Sequence, residues 1–262
     1  MKNKIKDPTI GATQKALINA PEGVCAEKAK KPTQIFASEG KHGVSESLAD
    51  CAREGYQALF MPELALKRIE AERDSEVITY WNGTPSLIVT GRTKQDSKVV
   101  IYAHVPNFYS NPVNIRETVE SGRLVNCAGP VPQGEFNRLE ALNGSGRVFV
   151  IPYETLKQSS SGVINVDDAI GHPQTIPFLG LGREGAERYL IKHKEVYGNQ
   201  IGIWHRDDFN KNTPLGRVLC LGNCYVGLDG FSSLDYFGQV FGIAPEPVAK
   251  NSNVRQTTVL QD

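Results

Sequence analysis

Two stretches of this sequence, 77–105 and 201–243, crowd β-branched and aromatic residues between glycines and turn-forming residues, and they decide what the chain can fold into. In the first, residues 77–81, 86–90 and 99–105 are separated by Asn82-Gly83-Thr84-Pro85 and Lys94-Gln95-Asp96-Ser97. Strand formers spaced by turn residues in this way predict three antiparallel strands in a meander. In the second, residues 201–204, 217–221, 224–228 and 234–243 are punctuated by Gly216, Gly222, Gly227, Gly230, Gly238 and Gly242. Glycine inside strands marks bulges, sharp bends or close backbone approach, so a strongly coiled or barrel-like sheet is expected. The alternation should bury one side of each strand in a common interior.

Between and before these stretches the period is helical. Ser45 can cap a helix whose apolar positions Leu48, Ala49, Ala52 and Tyr56 fall at three- and four-residue steps, and Pro62 fits the first turn of a second helix built on Leu64, Leu66 and Ile69. Shorter helices are expected from Asn111 or Asn114 to Val119, and over 135–142 after Pro130-Val131-Pro132. The apolar run 147–151 reads as a central strand covered on both faces. Residues 183–197 read as a helix with Ala186, Leu190, Ile191 and Tyr197 inward, stopped by Gly198. The fold class is therefore α+β: an antiparallel β-meander with flanking helices and a Gly-rich C-terminal sheet, in one compact domain over 33–246. Residues 1–32, lysine-rich with Pro8, Pro21 and Pro32, are expected to form a flexible arm, and 247–262 a flexible tail, since neither offers much to bury.

Charge excludes some functions. Lys plus Arg and Asp plus Glu both total 29, so no net field draws the chain to polyanions, and non-specific nucleic-acid binding is not expected. No apolar run approaches the roughly 20 residues that cross a bilayer, so no membrane partner is expected. Five cysteines, odd in number and irregularly spaced, suit reduced thiols in a cytoplasmic protein better than a disulfide framework.

The side chains best suited to chemistry fall in two segments that each follow a β-type run. Asp167, Asp168 and His172 lie in one, His205, Asp207 and Asp208 in the other. Imidazoles and carboxylates bind divalent metals, and a carboxylate can orient a histidine ring. If the segments converge, His172, His205 and Asp207 would hold a divalent metal, with Asp168, His172, His205 and Asp208 as a catalytic acid–base set for hydrolysis. The plainer alternative makes Asp167 a cap and the Asp207-Asp208 pair the start of a polar loop.

Other motifs are weaker. Cys220 and Cys224 are two ligands where structural zinc needs four, and read as core thiols. Cys127 precedes Ala128-Gly129 but shows no base partner. His104 reads as a core hydrogen-bonding residue and His193 as solvated. The glycines near Gly180 and Gly182 lack the context of a dinucleotide fingerprint. Aromatics at Phe108-Tyr109 and between Phe231 and Phe241 serve equally as core or contact surface. With no specific catalytic motif, the expected function is a non-catalytic binding or assembly protein that meets a protein partner through its N-terminal arm; the rival is the His/Asp hydrolase.

Overall fold

All the strands found among the described residues join one sheet of eleven. The computed structural model describes residues 31–159, 161–204, 208–223, 226–230 and 232–245. In chain order, β1 (Thr33–Ser38) leads through α1 (Gly43–Arg53), β2 (Gln57–Ala58), α2 (Met61–Glu70) and α3 (Glu76–Thr79) to β3 (Asn82–Arg92) and β4 (Lys98–Ala103). Then come α4 (Pro112–Glu120), β5 (Gly129–Pro130), α5 (Gln133–Ala141), β6 (Val148–Pro152), α6 (Tyr153–Lys157) and β7 (Gly162–Asn165). Last are α7 (Val166–Ala169), α8 (Thr175–Leu179), α9 (Arg183–Tyr197), β8 (Gln200–Trp204), β9 (Leu215–Leu221), β10 (Leu228–Asp229) and β11 (Gly238–Ile243).

The sheet runs β1-β11-β3-β9-β10-β8-β7, with β4 and then β6 branching from β3 and β5 lying on β9. Most pairs are antiparallel; β10 with β8 and β11 with β3 are parallel. The meander and the Gly-rich strands are thus one sheet, joined where β3 meets β9 from Asn82↔Leu221 to Thr90↔Leu215. Strand β3 shifts register between Gly83 and Leu87, which lets its first part touch β11 and its second part β4.

Side chains alternate across the sheet into two cores rather than the single interior expected from the pattern. Leu87, Val89, Val99, Ile101, Val218 and Cys220 pack with α1, α4 and α5 on one face. Ile88, Val100, Tyr102, Leu219 and Leu221 pack with α2, α8 and α9 on the other. Burial on both faces is why adjacent apolar residues stand in the middle of β3 at 87–89, in β4 at 99–103 and at the end of β9 at 218–221.

Local chemistry explains the helix boundaries. Pro62 occupies the first turn of α2, and the Asn111 side chain accepts from Val113 N at the start of α4. Helix α9 spans the expected residues and ends at Gly198, whose φ of 96° suits glycine. Ser45 lies inside α1, where its hydroxyl donates to His42 O, and does not cap it.

Several expectations are corrected. The first meander segment is the short helix α3 rather than a strand, because Arg68 and Asn82 donate to the carbonyls of Val77 and Tyr80 and so satisfy the backbone that a ladder would have paired. The Asn82-Gly83-Thr84-Pro85 segment therefore begins β3 instead of forming a turn. Strand β6 pairs with β4 alone and is an edge strand; its apolar run is covered by helices on both faces, not by two neighbouring strands. On α9, Ile191 is 59% exposed while Tyr189 and His193 are buried. Strand β1 was not anticipated. Residues 1–30 and 246–262 lie outside the described residues, so the arm and tail do too, except that Lys31 O accepts from the Tyr56 hydroxyl and Pro32 O from Ala244 N. Among the described residues, no helix is long and apolar enough to cross a membrane.

Candidate functional site

Where β8 and β10 end and β9 begins, three irregular segments meet: 208–214 before β9, 232–237 before β11, and the turn 125–128 before β5. Their main chains are held by side chains and backbone of the surrounding fold. Gln174 Nε2 and Gly230 N both donate to Trp204 O, at 3.0 and 3.3 Å. The Trp204 indole donates to Val226 O at 3.0 Å. The Thr90 hydroxyl donates to Asp208 O at 2.6 Å, and Leu234 N donates to Cys127 O at 3.2 Å.

The strongest anchor is a buried ion pair. Arg217, 2% exposed on β9, donates through Nη2 to Asp208 Oδ2 at 2.5 Å and to Asn126 O at 2.8 Å. Asn126 Nδ2 closes the triangle by donating to Asp208 Oδ1 at 3.1 Å. Two irregular segments are thereby tied to one strand. At the far end of β9, Arg68 donates to Leu221 O and Gly222 O, and Asn223 Nδ2 to Thr79 O. On the outer surface stand Lys211, Asn212, Cys127 and Tyr236, the last 69% exposed.

Two depressions flank the segment Asn212-Thr213-Pro214. One, of about 360 Å³, lies between it, the β3–β4 turn and the start of α5. The other, of about 380 Å³, is bounded by Phe108 and Pro130-Val131-Pro132. Helix α5 can lie this close to β3 because position 91 is glycine: a Cβ there would sit 2.4 Å from the Phe136 ring.

The residues singled out from sequence are distributed as follows. Asp168 is exposed on α7, and Asp167 binds the Lys194 ammonium at 2.7 and 2.8 Å; the cap of α7 is Asn165, whose side chain accepts from Asp167 N. His172 is 9% exposed, and its Nδ1 accepts from Gln174 N at 3.2 Å. The Gln174 contact with Trp204 O brings the His172 segment against the end of β8. Asp208 is in the ion pair just described, while His205 and Asp207 lie outside the described residues. Among the described residues, no three His, Cys, Asp or Glu side chains are grouped as a metal site would need.

Of the remaining candidates, Cys220 is buried, which pushes its thiol well above the ordinary value, and Cys224 lies outside the described residues. Cys127 is exposed, with φ of 69° following Asn126 at 48°. Gly180 caps α8 with φ of 64°, and Gly182 opens α9. Tyr109 is core, its hydroxyl donating to Pro130 O at 2.9 Å. Sequence reasoning missed Gln174 and Arg217, and the helical pattern puts Arg68 with Lys67, Glu70, Glu72 and Arg73 on a wet face, whereas Arg68 is 1% exposed. Their signal was present for Arg217: a cation inside the apolar run of β9 is buried only if something pairs with it.

Asp208→Ala is expected to cost about 3–4 kcal/mol, because it strands the Arg217 guanidinium without its counter-charge. Equilibrium urea unfolding measures it, and adding Arg217→Met should recover part of the loss. A change below about 1 kcal/mol would mean that water replaces the carboxylate.

No protein-family model and no curated protein matches the chain. A solved structure does, described as "Accommodation of massive sequence variation in Nanoarchaeota by the C-type lectin fold", with 45% sequence identity and a TM-score of 0.75. The match covers 82% of this chain and 99% of that one. At that identity and coverage, the chain belongs to the family of C-type lectin fold proteins that this structure represents.

Proposed function

We propose that this chain is a non-catalytic binding protein that presents Lys211, Asn212 and Tyr236, the exposed side chains of segments 208–213 and 232–237, on a main chain fixed by the fold beneath. The observation that carries this reading is the direction of the anchoring bonds. Thr90, Gln174 and Arg217 reach up from the fold to backbone carbonyls of Asp208, Trp204 and Asn126, and the buried Leu234 ties 232–237 to Cys127 O through its backbone N–H, so these anchors do not involve the outward side chains of Lys211, Asn212 and Tyr236. A surface built in this way can change its contacts without unfolding its support. The 45% identical structure is described as accommodating massive sequence variation, and the same division between anchor and outward side chain supports that capacity here. The hydrolase alternative has less behind it, since the Asp208 carboxylate is bound by Arg217 and Asn126.

A library randomised at Lys211, Asn212 and Tyr236 tests the proposal. Most members are expected to unfold cooperatively within about 4 °C of the parent, since exposed substitutions away from caps and cores usually stay within about 0.5 kcal/mol. Displayed and panned against an unrelated globular protein, the library should also yield binders. Loss of cooperative unfolding in most members would overturn the reading.

A further inference from the structure

We infer that the two depressions flanking Asn212-Thr213-Pro214 receive an extended segment of a partner protein, with an acidic side chain on one side of this ridge and an apolar side chain on the other. The inference rests on the binding reading above and names the class of partner.

The first depression is cationic. Arg92, Lys94 and Lys211 line it against the single carboxylate of Asp96. Arg92 spends Nη1 on Asp96 at 2.9 Å, and its side chain stays 27% exposed along the cleft. A carboxylate entering this cleft meets three cationic side chains, and charge-assisted hydrogen bonds are stronger than neutral ones. Gln133, the first residue of α5, also lines this cleft, so the positive end of that helix adds to the field. Asn137, Asn210 and Asn212 contribute amides that both donate and accept, the pattern that matches peptide groups.

The second depression shares Gln133 and the ridge with the first; Arg123 and Thr118 also line it, but Phe108, Val131 and three prolines give it an apolar wall. In an extended peptide successive side chains point to opposite sides, and main-chain bonds supply affinity while pockets select side chains. A segment crossing the ridge can therefore fill both. A neutral saccharide would satisfy the amides and leave the charge of Arg92, Lys94 and Lys211 unanswered. Each depression lies at the small end of the roughly 300–1,000 Å³ range of ligand clefts, the scale of single side chains with their flanking backbone.

The frame is preformed. The Thr93 hydroxyl accepts from Gln95 N and Ser97 N in the β3–β4 turn, and Val131 N donates to Pro214 O at 2.8 Å beneath the ridge. A rigid receptor loses little entropy on binding.

Panning a random-peptide display library on the full chain at low salt tests the inference. Enriched peptides are expected to carry Asp or Glu within about two residues of a large apolar residue. Their affinity should fall at least about tenfold for Lys94→Glu/Lys211→Glu, both exposed positions that leave the fold intact. Phe108→Ala should weaken the apolar preference and leave the acidic one. Enrichment without acids, unchanged affinity for the charge-reversed variant, or displacement of the peptides by an oligogalacturonide but not by other acidic peptides would each overturn it. None of these outcomes touches the scaffold reading, which stands or falls on the stability and yield of the randomised library.

Discussion

Replacing Arg68 with alanine is expected to remove about 5 kcal/mol of folding stability, a loss at the far end of what single substitutions do. Arg68 sits on α2 with 1% of its surface exposed and is among the largest fully buried side chains. Its guanidinium donates to four backbone carbonyls: Val77 at 2.9 Å, Tyr80 at 2.9 Å, Leu221 at 3.0 Å and Gly222 at 2.6 Å. One planar fork thus ties α3, the entry to β3 and the exit of β9 to a single helix. Truncation opens a large cavity and withdraws charged donors from buried acceptors, and both effects destabilise.

The damage should be uneven. Asn82 Nδ2 also donates to Val77 O and Tyr80 O, so those carbonyls keep a donor, whereas Leu221 O and Gly222 O lose the Arg68 contribution. Amide hydrogen exchange should therefore accelerate most in the turn that Gly222 N closes onto Gly227 O. Arg68→Lys keeps the charge but not the fork, and should cost about half as much in urea unfolding. A loss below about 2 kcal/mol for Arg68→Ala, or exchange that rises uniformly, would show that water occupies the site and that the fork anchors nothing.

Much of the architecture was legible because its signals are local. Pro62, Asn111 and Gly198 mark helix ends through the chemistry of a missing donor, a side-chain acceptor and a positive φ, and all three act where the pattern placed them. The strand period was legible in 86–90, 99–105 and 217–221, but not what covered each face. Residues 77–81 have strand composition and fold as a helical turn because Arg68 and Asn82 claim their carbonyls, and the Arg68 fork is itself fixed by Leu221 O and Gly222 O, which no local window contains. Likewise, the run at 148–152 reads the same whether its faces are closed by helices or its edges by strands, so its edge position was hidden.

The candidate site was less legible, for a related reason. Paired Asp and His residues catch the eye because they suggest chemistry, yet Asp208 is the counter-charge of Arg217, a strand residue nine positions later. The anchors that define the surface are Thr90, Gln174 and Arg217, ordinary residues whose role appears only when their partners' carbonyls are in place. Site residues that work by holding backbone leave almost no signature in a single sequence.

Acid should unfold this chain through two histidines that the fold keeps neutral. His104, fully buried, meets Pro177 O at 2.8 Å through Nε2 and the Ser86 hydroxyl at 3.0 Å through Nδ1. A carbonyl can only accept, so Nε2 carries the proton and Nδ1 accepts from Ser86, whose oxygen in turn accepts from Met61 N. His193 donates in the same sense from Nε2 to Gln200 O at 3.0 Å, and its Nδ1 is buried without a partner. Burial, with Arg147 near the first ring and Arg68 near the second, lowers both from 6.5 to about 4.

The sign follows from which state binds protons. In the unfolded chain both rings titrate at their ordinary value, so between pH 6.5 and about 4 the unfolded state holds protons that the folded state refuses. The contribution is complete above pH 6.5 and is lost as the pH falls toward 4, by about 3 kcal/mol for each ring, because a proton refused across one pH unit is worth about 1.4 kcal/mol. Urea midpoints taken at pH 7, 5.5 and 4.5 should fall steeply. Glutamine reproduces an Nε2–H donor without titrating, so His104→Gln and His193→Gln should each flatten the slope whatever they do to stability at neutral pH. An unchanged slope in both variants would mean that carboxylates, not these rings, govern the acid limb.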